Sequence, residues 1–413
     1  MIRIGILLSL CTLLCCRSLS AQQCHTPEIS LLSAEEDAFN EYVLRFVQDG
    51  GPADTSLQII PTVVHIIMRN AADSMSLARV QSQIHASNLD LRKRNADTAR
   101  IRAPFKAVAA DCQIQLCLAT RKPDGNNFAG VLWHSYPDFD PADMSAIRTA
   151  TQLDPDRYLN VWVQPGQEGG SAVFPWEKTA SHDGFTLGSL VFGTFGTDLQ
   201  PGFNEGGIFT HELGHYLGLY HTFHGGFAYL GECDRLHDAD IGDLCADTPL
   251  DWDMPLSTDQ CDDGTRFCST GDSSVITQSE NFMHYNRDSC VQMFSLDQRA
   301  RMRACTDSAR ALLVSASNLN FTGAACLPLV SLPEITPAEN WTVYPNPAGD
   351  IVYIHYPAKM SLLSVRLLDL QGREIRQWQG NISEAGLQDI PAGIYILRIQ
   401  GKDFTDSRKL VRR

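Results

Sequence analysis

The stretch THELGHYLGLYHTF, Thr210–Phe223, sets three histidines, a glutamate and two glycines into the eleven residues from His211 to His221 of an otherwise apolar run. In an α-helix, residues four apart lie about 40° apart around the axis, so His211 and His215 present both imidazoles on one face. Two ring nitrogens then meet one metal ion. Glu212, adjacent to the first ligand, reaches a water on that ion rather than the ion itself. Gly218 is expected to take the left-handed conformation that ends the helix, turning the chain so that His221 returns to the same point. Three neutral imidazoles leave the fourth position of a zinc ion open, the mark of a catalytic rather than a structural site. His224 is a rival third ligand, whereas His65, His85, His134, His182, His237 and His284 read as ordinary core or surface histidines.

The chemistry follows from charge. Zinc lowers the pKa of bound water from about 15.7 toward 7 and polarises a neighbouring carbonyl. Glu212 is placed to take the water's proton and pass it to the departing amine. The predicted reaction is hydrolysis of peptide bonds by attack of zinc-bound water, with proteins or peptides as substrates. The competing reading is a non-enzymatic surface or adhesive protein with a structural zinc, which has no use for Glu212.

The remainder of the 413 residues frames this site. The chain is 44% hydrophobic and 20% charged, enough for one large core and a second small one. Residues 1–21 combine Arg3, an apolar run from Ile4 to Cys16 and the small-residue exit Ser18-Leu19-Ser20-Ala21, the pattern of a cleaved secretory signal. No later segment has the apolar length of a membrane helix. Losing residues 1–21 removes Arg3 and Arg17 and no acid, taking the net charge from −15 to −17, which excludes nucleic acid as a natural partner. Three of the 13 cysteines leave with the signal, and the ten that remain in an exported chain are expected to form disulfides.

Residues 22–58 are mixed and polar and read as a propeptide. IIPTVVHIIM (Ile59–Met68) reads as a buried strand, Ser76 as the cap of a helix carrying Leu77, Val80, Ile84 and Leu91, and QIQLCL, YLNVWVQ, SAVFP and LGSLVF as further strands. A twisted sheet with helices therefore precedes the histidine helix. From Glu232 to Asp272 runs a long loop with twelve carboxylates against Arg235 and Arg266. Such loops are functional or pinned by cross-links and ions. A helix is expected from about Leu296, a linker over 314–340, and then short strands IVYIHY, LSVRLLDL, EIRQWQ and GIYILRI, the pattern of a small β-sandwich over 341–413. The fold class is α+β for residues 59–313, followed by an all-β domain.

HExxHxxGxxH followed by a methionine turn is the metzincin signature. With ENFMHYNRDSC, CVQMFSLDQ, GSAVFPW and DGFTLGSLVFGT, the run resembles the pappalysin family over roughly Ile59–Thr306, its bacterial ulilysin-like and mirolysin-like members in particular. The resemblance implies a metzincin fold and zinc endopeptidase activity, with His211, His215 and His221 as ligands and Glu212 as general base. It further implies that Met283 forms the floor beneath the metal and that the Tyr285 hydroxyl stabilises the oxyanion. GDLCADTP resembles a family calcium loop with Asp243, the Cys245 carbonyl and Thr248 as ligands, and carboxylate and carbonyl oxygens suit calcium. The implied disulfides are Cys233–Cys268 and Cys261–Cys290. Asp288 matches an aspartate that lines the pocket after the scissile bond, where it favours Arg or Lys; Cys24 is a candidate for a propeptide thiolate that fills the open zinc position, as in some relatives, with a disulfide or an unpaired thiol as the alternatives. The tail, from TVYPNPAGD through LLDLQGREI and IPAGIYILRI to RKLVRR, resembles the sorting domain of the type IX secretion system. That implies recognition by the secretion machinery, passage across a Gram-negative outer membrane and release or attachment outside.

Overall fold

Strand β1 (Gln58–Met68) is the spine of the N-terminal unit, with eight consecutive buried residues. The computed structural model describes residues 24, 26, 33–49, 56–179, 182–225, 241–251, 261, 276–324, 326, 341–356, 361–369, 373–401 and 405–413. The expected signal, the Cys233–Cys268 pair and most of the acidic loop lie outside these. β1 is long enough to pair in parallel with β2 (Ile114–Leu118) along its first half and with β3 (Val131–Ser135) along its second, while β4 (Leu159–Gln164) flanks its other side. β5 (Gly170–Ala172) runs antiparallel to β6 (Phe185–Gly188) and forms the sheet edge, in the order β2-β1-β4-β6-β5. Burial on both faces explains why β1 and β4 read as continuous β-branched runs rather than alternating ones.

Among the described residues six helices complete this unit: α1 (Ala34–Gln48), α2 (Leu77–Leu91), α3 (Met144–Thr151), α4 (Gly207–Tyr216), α5 (Leu296–Asp307) and α6 (Ala316–Thr322). The Ser76 hydroxyl caps α2 by accepting the Arg79 N–H, and Val80, Ile84 and Leu91 are buried as their spacing requires. Ser33 caps α1, where Glu35, Glu36 and Asp37 complement the positive end of the helix dipole. Ser295 and Gln298 form a reciprocal capping box on α5. The core gathers Ile60, Val64, Val161, Phe185, Phe209, Leu213 and Met302.

The stretch expected as linker is folded at its start. α6 lies within 314–340, Thr322 O accepts the backbone N–H groups of Thr120 and Arg121, and Cys326 is bonded to Cys117. Compositional polarity misled here because a seven-residue helix needs few apolar residues when a disulfide holds it. Cys261 and Cys290 are also joined. Cys24, Cys112, Cys245 and Cys305 are free, which corrects the expectation of general disulfide pairing: Cys112 and Cys305 sit in the apolar core as small hydrophobes.

The chain divides into compact units at Pro328 and Leu329. The second unit packs β7 (Thr342–Tyr344), β8 (Ile351–His355), β9 (Leu362–Leu368), β10 (Glu374–Gln379), β11 (Glu384–Gly386), β12 (Gly393–Gly401) and β13 (Thr405–Arg412) as antiparallel sheets β10-β9-β12-β13 and β11-β8-β7. Alternation on β8 buries Val352 and Ile354 against Val365, Leu367, Leu397 and Ile399. Among the described residues no helix is long and apolar enough to cross a membrane.

Candidate active site

All ten residues of α4 are buried, so its polar side chains must find partners inside the protein. Gly218 ends the helix at φ +90, as a left-handed terminus requires. The carbonyls exposed by that turn are taken by arginines from the C-terminal part of the unit. Arg301 Nε donates to Gly218 O at 2.5 Å, and Arg310 Nε to Tyr216 O at 2.9 Å. Arg310 is itself paired with Asp183, both side chains 1% exposed. On the underside, Gly214 has no room for a Cβ, which would collide with Met283 Sδ. Asn281 Oδ1 accepts the Met283 N–H at 2.9 Å, and its amide is held by Gln278 and Gln298.

The Nε2 atoms of His211, His215 and His221 lie 3.0–3.2 Å from one another. His211 Nδ1 is 2.7 Å from Phe282 O, and His215 Nδ1 is 2.8 Å from Leu219 O. A carbonyl only accepts, so these Nδ1 atoms carry the proton and both Nε2 lone pairs face the cluster's centre. Burial pushes His211 down to about 4 and His215 and His221 well below the ordinary histidine range. Neutral rings with converging lone pairs repel unless a cation lies between them, so the donor set fits zinc. His224 stands outside the cluster, with its ring stacked on Tyr220 at 4.2 Å.

Cys24 Sγ joins the cluster, 3.5 Å from His215 Nε2. Glu212 is fully buried and pushed up to about 8 by desolvation, an effect that hydrogen bonding to Cys24 and Thr26 opposes. Its Oε2 accepts from Thr26 Oγ1 at 3.4 Å, while Oε1 has no partner. A Cβ on Gly170 would sit 2.6 Å from Glu212 Cγ, so the edge strand reaches the carboxylate only because position 170 is glycine. Tyr285 packs its ring 4.7 Å from that of His221 and donates its hydroxyl to Cys24 O at 3.3 Å.

Two expected residues have roles that their spacing does not reveal. Asp288 accepts the Glu205 and Gly206 N–H groups, which closes the N-terminal end of α4. It also lines a cavity of about 290 Å³ with Asp90, Asp97, Glu205 and Gly207. Asp243 Oδ1 accepts from Cys245 N at 3.2 Å and Thr248 Oγ1 at 2.9 Å, and Thr248 Oγ1 is also 2.9 Å from Cys245 O. Asp243 Oδ2 is buried without a partner, and burial pushes the carboxyl well up. This oxygen-only group fits a hard cation. Sequence reasoning missed Thr26, Gly170 and the two arginines, since no local pattern connects residues separated by more than forty positions.

The fold and the three-histidine site define a metzincin-type metallopeptidase architecture. Residues 144–307 match the family model described as pregnancy-associated plasma protein-A, and residues 342–413 match that of the secretion system C-terminal sorting domain. An extracellular metalloprotease of Colletotrichum graminicola is 33% identical over 174 residues, 40% of this chain and 54% of its own length. The chain thus spans about half the length of the curated relatives it matches first. Mature mirolysin of Tannerella forsythia, solved with a cleaved peptide, is 28% identical with a TM-score of 0.55, over 65% of this chain and 99% of that one. A promirolysin variant from the same organism is 26% identical with a TM-score of 0.57, over 70% and 94%.

Proposed function

We propose that the chain is a secreted zinc endopeptidase made as a latent precursor: signal 1–21, prosegment 22–58, catalytic unit from residue 59, and a sorting domain over 341–413. The reading rests on one observation, three imidazole nitrogens within 3.2 Å of one another beside the buried Glu212 carboxylate, whose Oε1 has no hydrogen-bond partner among the described residues. His211, His215 and His221 would hold zinc, which supplies a Lewis acid for water and for the scissile carbonyl. Glu212 takes the proton of the attacking water and returns it to the leaving amine. Tyr285 donates to the oxygen that gains charge on the carbonyl. Strand β5 offers its free edge to an extended substrate backbone. Met283 supports the α4 helix from below.

Asp288 and the carboxylates beside it favour a basic residue after the cut. Asp243, the Cys245 carbonyl and Thr248 hold calcium, so a calcium chelator lowers the melting temperature of the parent more than that of Asp243→Asn. Cys24 keeps the precursor latent by occupying the fourth ligand position, as its place 3.5 Å from His215 Nε2 supports. The sorting domain directs export through type IX machinery of a Gram-negative cell. The test is hydrolysis of casein by chain freed of residues 22–58, with and without a zinc chelator. Chelator-sensitive cleavage supports the reading, and absence of cleavage by zinc-loaded protein refutes it.

A further inference from the structure

Residues 24 and 26 meet each reacting group of the site with a different atom. Cys24 pairs with Gly170 as a parallel bridge on the free edge of β5. Its sulfur faces the histidines, its carbonyl oxygen accepts from Tyr285, and two residues on the Thr26 hydroxyl reaches Glu212. Ala172 N–H donates to Thr26 Oγ1 at 3.1 Å, which uses an oxygen lone pair and leaves the single hydroxyl proton for Glu212 Oε2. Thr26 is 3% exposed, so water does not compete. We infer that Thr26 is a second catch of the latent state: its hydroxyl occupies the general base and the edge strand together, independently of the Cys24 thiol.

The geometry explains why a thiol alone is not asked to hold the prosegment. The backbone bridge to β5 is a single residue, Cys24 opposite Gly170, too short to be stable as a strand. A hydrogen bond to a buried carboxylate strengthens it, because leaving Glu212 without any partner in an apolar surrounding is unfavourable. Further along the prosegment, α1 is anchored separately: Tyr220 donates to Glu36 at 2.5 Å, Arg301 donates to Asn40 at 2.5 Å, and Phe39 packs against Gly218. The Cys24–Thr26 segment is therefore tethered at both the base and the α1 dock.

The inference rests on the latent-peptidase reading, and its test separates the two. In full-length chain, Thr26→Val removes the hydroxyl and keeps the shape, whereas Thr26→Ser keeps the hydroxyl. Alkylation of Cys24, read by peptide mapping, is expected to quicken about tenfold in Thr26→Val and to stay near the parent rate in Thr26→Ser. In a Cys24→Ala background, Thr26→Val raises the precursor's peptide hydrolysis by a similar factor. The Ala172 amide exchanges slowly in the unaltered precursor and fast once residues 22–58 are removed. Equal alkylation in Thr26→Val and parent, or an Ala172 amide indifferent to prosegment removal, overturns the inference. Processed enzyme that leaves peptides uncut while Cys24 protection still follows the hydroxyl sustains Thr26 as a catch and overturns the peptidase reading.

Discussion

The Asp288 carboxylate accepts the Glu205 backbone N–H at 2.7 Å, so a residue expected to face substrate closes the N-terminal end of α4. Burial pushes this carboxyl up to about 6, against the stabilising backbone donors. Asp288→Asn keeps an acceptor oxygen for the helix end and removes the charge. The variant is expected to fold with a loss of about 1 kcal/mol, as for other cap changes, while its preference for Arg or Lys after the cut falls at least about tenfold. A peptide-library profile of the processed variant that matches the parent would remove Asp288 from specificity and leave it a purely structural cap.

Gly214 and Met283 are in direct opposition beneath the histidine cluster. Gly214→Ala pushes Cβ into the Met283 sulfur, and the cost expected for an overpacked core is about 1–3 kcal/mol. Thermal unfolding should show it, together with weaker zinc retention against a chelator. An unchanged melting temperature would mean that the methionine floor yields freely.

Arg310 donates to the Tyr216 carbonyl and to both oxygens of Asp183, and its guanidinium lies 3.4 Å from the Tyr216 ring centroid. Asp183→Asn strands a buried cation at the end of α4, with a loss of about 3–5 kcal/mol in denaturant unfolding. Replacing Asp183 and Arg310 together by Asn and Met should recover part of that loss. A double variant no better than the single one would show that the pair acts through the Tyr216 clamp alone.

His65 sits in the middle of β1, with Nε2 3.0 Å from Asn160 Oδ1 and the ring stacked on Trp162. Burial pushes its pKa from 6.5 down to about 3. The unfolded chain therefore takes up this proton below about pH 6.5 while the folded chain does not, so stability falls as pH drops through 6.5 toward 3. The slope from this residue approaches about 1.4 kcal/mol per pH unit. Denaturant midpoints at pH 7.5 and 5.5 should differ less in His65→Gln than in the parent, and equal differences would contradict the assignment.

Much of this was legible in the chain itself. The His211–His215 spacing, the left-handed Gly218 and the capped helix at Ser76 follow from helical geometry, and β1, β4, β9 and β10 from residue pattern, because each is a short-range property. What escaped was long-range. α1 reads as polar because only Phe39, Val43 and a few neighbours face the catalytic unit. β3, with two of its five residues exposed, carries little periodicity. The Thr26–Glu212 contact joins residues 186 positions apart, and nothing local to Thr26 distinguishes it from any loop threonine.

The central claim is tested most directly by X-ray absorption and metal analysis of the Glu212→Gln precursor freed of residues 22–58. The account predicts one zinc per chain with three imidazole nitrogens among its ligands, in a protein that no longer cuts peptides although the parent does. Peptide cleavage that persists in this variant, or an active parent holding no metal, would contradict it.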